Sequence, residues 1–236
     1  MTGPVNWSAV RAVCFDLGDT LVRPEEVATT GQVAEVLGIG LQEARALLGQ
    51  GAKRRLVTPQ DLAHELAAGF GRSRLAGQLA AVLMSARCRA EDPPLYPDVP
   101  DMLAALRARG FALYAMTNML GSSVPERDPD VFRELLDGVF YSARTGAIKP
   151  EREAFAAVED TVGLRPQELL HVGNSLNADI RGAAAAGWHT AWVTRNHAAG
   201  PQEPAVPTVR LRSLNILPPL LPARAAAKTT TSEVTG

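Results

Sequence analysis

The sequence predicts an α/β protein: a doubly wound parallel sheet with helices on both faces, interrupted by an inserted helical block. Three observations carry that reading. The β-branched and aromatic run VRAVCFDL (10–17) ends at Asp16 and Gly18, as a buried strand stopped by a polar turn does. From Glu25 to about Ala90 the apolar residues fall at helical spacing with little β-branching. Beyond residue 100, helix-like and strand-like segments alternate, the pattern of a parallel sheet covered by helices.

Taken in order, the first strand leads into about four helices and no strand. Thr58-Pro59 starts one of these helices, with a capping hydroxyl before a proline in the first turn. EDPPLYPDVP (91–100), with four prolines, closes the block as a hinge. DMLAALRARG then reads as a helix ended by Gly110, FALYAMT as a strand, DVFRELLDG as a helix and VFYSA as a strand. PEREAFAAVEDTVG is a helix, LLHVG a strand, NADIRGAAAAG a helix and HTAWVT a strand. NHAAGPQEPAVP (196–207) is a turn-rich loop, TVRLRSL a candidate last strand, and LNILPPLL a short helix broken by its prolines. From Pro222 the apolar periodicity stops, and 222–236 is expected to be a disordered tail. The expected organisation is thus a core formed by 1–22 and 95–221, with a helical cap at 23–94.

Composition narrows the function. Basic and acidic residues nearly cancel, 24 against 25, which removes the charge footprint of a nucleic-acid or anionic-membrane binder. No apolar run reaches the roughly 18 residues of a membrane span. The opening MTGPVNWSAVRAVCFD shows no secretory pattern, and two cysteines make no disulfide framework, so a reduced cytoplasm is expected. Only three of the 24 basic residues are Lys (Lys53, Lys149 and Lys228), so a loop Lys stands out.

Open parallel sheets bind ligands beyond the carboxyl ends of their strands. Standing there are Asp16, Thr117-Asn118 and Gly173-Asn174-Ser175, with Lys149 in the loop after VFYSA. A single Asp at a strand end most often caps or turns the chain; several polar positions converging on one edge point to a site.

Those residues resemble the four motifs of the haloacid dehalogenase (HAD) superfamily, whose members are mostly phosphatases. FDLGDTL (15–21) is similar to the first, with Asp16 at the nucleophile position, and YAMTN to the second, with Thr117. GAIKPEREAF is similar to the third through Lys149, and HVGNSLNADIRGAAAAG to the fourth, with Asn174 and Asp179 at its acidic positions. The helical insertion resembles that superfamily's α-helical cap, and the likeness spans about residues 10–195 on a Rossmann-like core.

The resemblance implies a phosphatase for a small soluble metabolite, with Mg²⁺ held by Asp16, Gly18, Asn174 and Asp179. It implies catalysis by Asp16, Asp19, Thr117 and Lys149, and substrate binding by Thr117, Asn118 and Lys149. Chemistry suits these roles. A carboxylate can attack phosphorus covalently, Mg²⁺ can screen the two anions, and Thr and Lys can hold the phosphoryl oxygens.

Two departures stand out. Where the family carries a second Asp two residues after the nucleophile, this chain has Gly18, with the acid one place on at Asp19. On an extended strand Asp19 faces away from Asp16 unless the backbone turns, and Gly18 would permit a turn. Asn174 stands where Asp is usual, offering a carbonyl but no charge. Two other readings therefore stay open: a metal-independent dehalogenase, which Gly18 suits, and a catalytically degenerate binding protein. Elsewhere, His171 reads as a buried, hydrogen-bonded residue, Cys14 as core packing and Arg54-Arg55 as solvated charges. Ser122 and Ser123 read as turn formers or as a border of the substrate.

Overall fold

The computed structural model describes residues 6–195 and 207–224. Most of the turn-rich loop expected at 196–207, and the tail beyond 224, lie outside the described residues.

The sheet has six strands, all parallel: β1 (Ala12–Phe15), β2 (Ala112–Thr117), β3 (Gly138–Tyr141), β4 (Leu169–Gly173), β5 (His189–Val193) and β6 (Val209–Leu211). Their order is β3-β2-β1-β4-β5-β6. Growth from β1 runs outward first on one side and then on the other, so the order reverses between β1 and β4. A crevice opens there at the carboxyl ends of the strands, the place where such sheets bind ligands. All four residues of β1 are buried, because both faces of a central parallel strand are covered. Val13 and Phe15 face a core with Met102, Leu103 and Leu106 of α5 (Val99–Ala108). Ala12 and Cys14 face a second core with Phe155 and Val158 of α8 (Arg152–Val162) and with Trp188. The alternation of side chains along β1 thus serves two layers at once.

The inserted block forms the four expected helices, α1 (Thr29–Leu37), α2 (Leu41–Gln50), α3 (Pro59–Gly69) and α4 (Ala76–Glu91). Thr58 caps α3, its hydroxyl accepting from Asp61 N–H at 3.0 Å. Leu37, Leu48, Leu62, Leu79 and Leu83 make a separate apolar core, joined from the Rossmann-like side by Leu120. The two strands of chain that enter and leave the cap pair with each other: Arg23 N–H donates to Pro94 O and Tyr96 N–H to Leu21 O.

Between β2 and β3 lies α6 (Asp130–Leu135), and a short α7 (Ser142–Thr145) follows β3 without a break. Three details differ from the expectation. The helix expected from Asn177 opens as a wide turn, Leu176–Arg181, in which Ile180 N–H reaches back five residues to Ser175 O; only then comes α9 (Gly182–Ala185). Pro218 and Pro219 sit in the first turn of α10 (Leu217–Leu220), where missing N–H groups cost nothing, so they start the helix rather than break it. The chain also stays docked past Pro222: Arg224 N–H donates to Arg109 O, and its guanidinium donates to Val10 O at 2.6 Å.

Candidate active site

Strand β1 places Asp16 at its carboxyl end, where Asp16 N–H continues the ladder onto Val172 O at 2.8 Å. Lys149, in the turn between α7 and α8, reaches under the sheet edge. Its ammonium donates to Asp16 Oδ1 at 2.6 Å, Asp179 Oδ1 at 2.7 Å and Met116 O at 3.0 Å, so its three donors are all used. Asn118 holds that turn by a reciprocal pair, its Nδ2 donating to Lys149 O and its Oδ1 accepting from Lys149 N–H. Thr117 ends β2 on the wall of the same cavity.

Electrostatics follow from this geometry. Burial pushes the Asp16 carboxyl up to about 6, held back by the Lys149 charge and helped upward by that of Asp179. Burial works the same way on Asp179, but the Lys149 ammonium and the His171 hydrogen bond override it and hold its carboxyl well below the usual range. Lys149 itself is raised, its two carboxylates outweighing the desolvation that opposes its charge. A buried lysine flanked by two carboxylates stays charged, and it stays beside Asp16.

Asp179, expected among metal ligands, spends both oxygens inside the protein: Oδ1 on Lys149 and His171, Oδ2 on Ser175 N–H at 2.8 Å. Gly18 does not take the turn that the sequence assigned to it. Asp19 does, with φ 55°, a left-handed conformation that Asp tolerates better than most residues. The turn points the Asp19 carboxylate at Tyr96 OH, which donates at 2.6 Å, and at Asn174 Nδ2, which donates at 3.3 Å. Asn174 is held from its other side by Trp192 Nε1, which donates to its backbone carbonyl at 2.9 Å.

The groups around Asp16 carry hard oxygens: Asp16, Gly18 and Asp19 line the cavity, and the Asn174 amide is bonded to Asp19. No group of three or more His, Cys, Asp or Glu poised for a metal occurs among the described residues. That set still fits Mg²⁺, which needs only one or two carboxylates and completes its shell with water and phosphate.

The cap roofs this edge over a cavity of about 500 Å³, lined by Asp16, Asp19, Thr117 and Asn118 below and by Lys53 and Thr30 above. Cap residues 52–54 grip the core directly. Gly121 N–H donates to Ala52 O at 2.6 Å, Ser142 Oγ to Lys53 O at 2.7 Å, and Arg54 forks onto the Glu151 carboxylate. Arg54, read from sequence as solvated, is thus a clasp between cap and core, while Arg55 pairs with Glu65. Three contributors escaped the sequence. Tyr96 lies 77 positions from the Asp19 that it bonds. His171, expected buried and bonded, turns out to brace Asp179 at 3.1 Å. Lys53 carried only the signal of being a rare lysine.

A family model described as haloacid dehalogenase-like hydrolase matches residues 10–187. The chain belongs to that family. Among curated relatives, a phosphoglycolate phosphatase of Pseudomonas putida is 28% identical over 221 residues, covering 89% of this chain and 79% of the relative. A phosphoserine phosphatase of Thermus thermophilus is 34% identical over 131 residues, covering 51% of this chain and 49% of the relative. The chain thus spans about half the length of this second HAD-like relative. A 2-haloacid dehalogenase from Pseudomonas syringae shares the fold with a TM-score of 0.65 at 20% identity, covering 90% of this chain and 98% of its own. A HAD phosphatase from Thermococcus onnurineus does so with a TM-score of 0.55 at 23% identity, covering 91% and 99%. No helix among the described residues is long and apolar enough to cross a membrane.

Proposed function

We propose that this HAD-like hydrolase is a Mg²⁺-dependent phosphatase acting on a small phosphorylated metabolite through an aspartyl-phosphate on Asp16. The observation that carries the reading is the Asp16–Lys149 contact of 2.6 Å at the floor of a capped cavity. The relatives named as phosphoserine and phosphoglycolate phosphatases support the same substrate class.

In the first step an Asp16 oxygen attacks phosphorus, the phosphorus–oxygen bond to the leaving group breaks, and Asp19 gives that oxygen a proton. In the second, Asp19 takes a proton from water, the water oxygen attacks phosphorus, and the Asp16–phosphorus bond breaks to release phosphate. Thr117, on the cavity wall, holds the phosphoryl oxygens, and Lys149, its three donors spent on Asp16, Asp179 and Met116 O, orients the Asp16 carboxylate from behind. Asp179 and Asn118 position Lys149. Asp16, Gly18 and Asn174 would hold Mg²⁺, which would supply charge that lets two anions approach.

Turnover of p-nitrophenyl phosphate with and without Mg²⁺ tests the reading. Asp16→Asn is expected to cost at least ~10³-fold, since an amide cannot attack phosphorus; near-normal activity in this variant sinks the mechanism. Gly18 favours a second reading, a dehalogenase using the same Asp16. Metal-independent chloride release from 2-chloropropionate, with no phosphate release, would establish it instead. Ligand binding with no turnover of either substrate would make the protein a binder.

A further inference from the structure

Lys53 sits where three consecutive cap residues are fastened to the core. The carbonyls of Ala52 and Lys53 accept from Gly121 N–H and Ser142 Oγ, and Arg54 clasps Glu151. The loop cannot drift, because Gly121 approaches so closely that a Cβ there would overlap Arg55 O. With its main chain pinned on both sides, Lys53 sends its side chain into the cavity that holds Asp16 and Thr117.

Among the described residues Lys53 makes no side-chain hydrogen bond or ion pair. The acids on the same walls are occupied: Asp16 by Lys149, Asp19 by Tyr96 and Asn174, and Glu25 by Thr29 and Arg89. The ammonium is partly desolvated, which pulls its pKa below the usual lysine value. A half-buried cation without a counter-charge, held over a reaction centre, is costly unless a ligand brings the missing charge.

We propose that Lys53 is the specificity residue of this site and that it selects phosphate monoesters carrying a carboxylate on the part that leaves. The inference rests on the phosphatase reading for which end of the substrate lies where. The transferred phosphoryl group lies against Asp16 and Thr117 on the floor, so a cation on the roof meets the remainder of the molecule. One ammonium neutralises one charge. Of the other cations on the lining, Arg89 is spent on Glu25 and on the Arg23 carbonyl and Arg23 is exposed to solvent, while Val22, Leu120 and Phe132 add apolar wall, so a second dianion would be under-compensated. A monoanionic carboxylate matches.

Two measurements separate this proposal from the one beneath it. Turnover of ethyl phosphate with Mg²⁺ reads the phosphatase function alone. Calorimetric binding of 3-phosphonopropionate against propylphosphonate, neither of which can be hydrolysed, reads Lys53. The wild-type protein is expected to bind the carboxylated phosphonate at least ~10-fold more tightly, as a charge-assisted hydrogen bond predicts. Lys53→Met keeps the aliphatic stem and is expected to erase that ratio, and Lys53→Arg to restore part of it. Equal affinities in the wild type overturn the proposal, as does a ratio that survives Lys53→Met. So does an equal weakening of both ligands, which would place Lys53 on the phosphoryl group. These outcomes hold whether or not ethyl phosphate is turned over.

Discussion

At Gly18 and Asp19 one displaced carboxylate has been accommodated by one unusual backbone angle. Gly18 has no positive φ, and a Cβ built on it meets nothing within 4 Å, so Gly18→Asp is sterically free. Asp19, to which the proposed mechanism gives the proton transfer, is fixed after its left-handed turn by Tyr96 and Asn174. Asp19→Asn is therefore expected to lower kcat by ~10²-fold or more, the worth of a positioned acid or base. If Asp19→Asn is harmless while Gly18→Asp raises kcat, the acid step is impaired in the natural protein and Asp19 is not its acid. Asn174→Asp tests the metal donors separately. It sets a carboxylate against Asp19 Oδ2, where an amide nitrogen now sits at 3.3 Å. The pair repels until a cation intervenes, so the rise in Tm produced by Mg²⁺ is expected to be larger in this variant than in the wild type. A smaller rise would remove Asn174 from the metal site. The swap of acid and glycine was legible in FDLGDTL, but its structural answer was not. The anchors lie 77 and 155 positions away, and no local pattern reports them.

Cap and core are coupled at the scale of elements by the segment 52–54 and by the paired linkers. Gly121→Ala drives a methyl group into the Arg55 carbonyl, which is backbone and cannot swing aside. The loop must lift, so KM is expected to rise several-fold, with a smaller change in kcat once substrate is bound; an unchanged KM would show that cap docking is irrelevant to binding. The Arg54–Glu151 clasp adds a pH dependence. The Arg54 hydrogen bond holds the Glu151 carboxyl below its ordinary value, against the opposing effect of burial. Its contribution is therefore complete above the usual Glu range and lost as pH falls through the lowered value. Both partners are about one-third exposed, so solvent screens the pair and that contribution is small. The four cap helices were readable because their apolar residues recur at helical spacing, and the central strands because, covered on both faces, they are short continuous apolar runs. The wide turn at Leu176–Arg181 was not, since Asp179, tied to Ser175 N–H and Lys149, bends a stretch whose composition is simply helical.

Across the whole molecule, alternation of segments was enough to predict a parallel sheet with an insertion, because helix and strand periods differ so clearly. That the chain stays docked past Pro222 was less legible. Arg224 lies in PARAAAK, a stretch with no apolar pattern, yet it ties this segment to Val10 and Arg109. Arg224→Ala is expected to cost about 1–2 kcal/mol by leaving the Val10 carbonyl unpaired. That corresponds to a fall of ~2–8 °C in Tm for a protein of this size, and a Tm unchanged within error would show the contact to be dispensable.

The fastening of the loop that bears Lys53 has one more consequence. Beside Lys53, the core holds main-chain carbonyls: those of Ala52 and of Lys53 itself. Every amino acid presents the same carbonyl, so the side chain at position 53 can be exchanged without unfastening the loop that carries it. The protein thereby separates the invariant task of closing the chamber from the variable task of choosing its contents. On the proposal made above, position 53 is an interchangeable tool-holder, where single substitutions are expected to change which leaving group the chamber accepts.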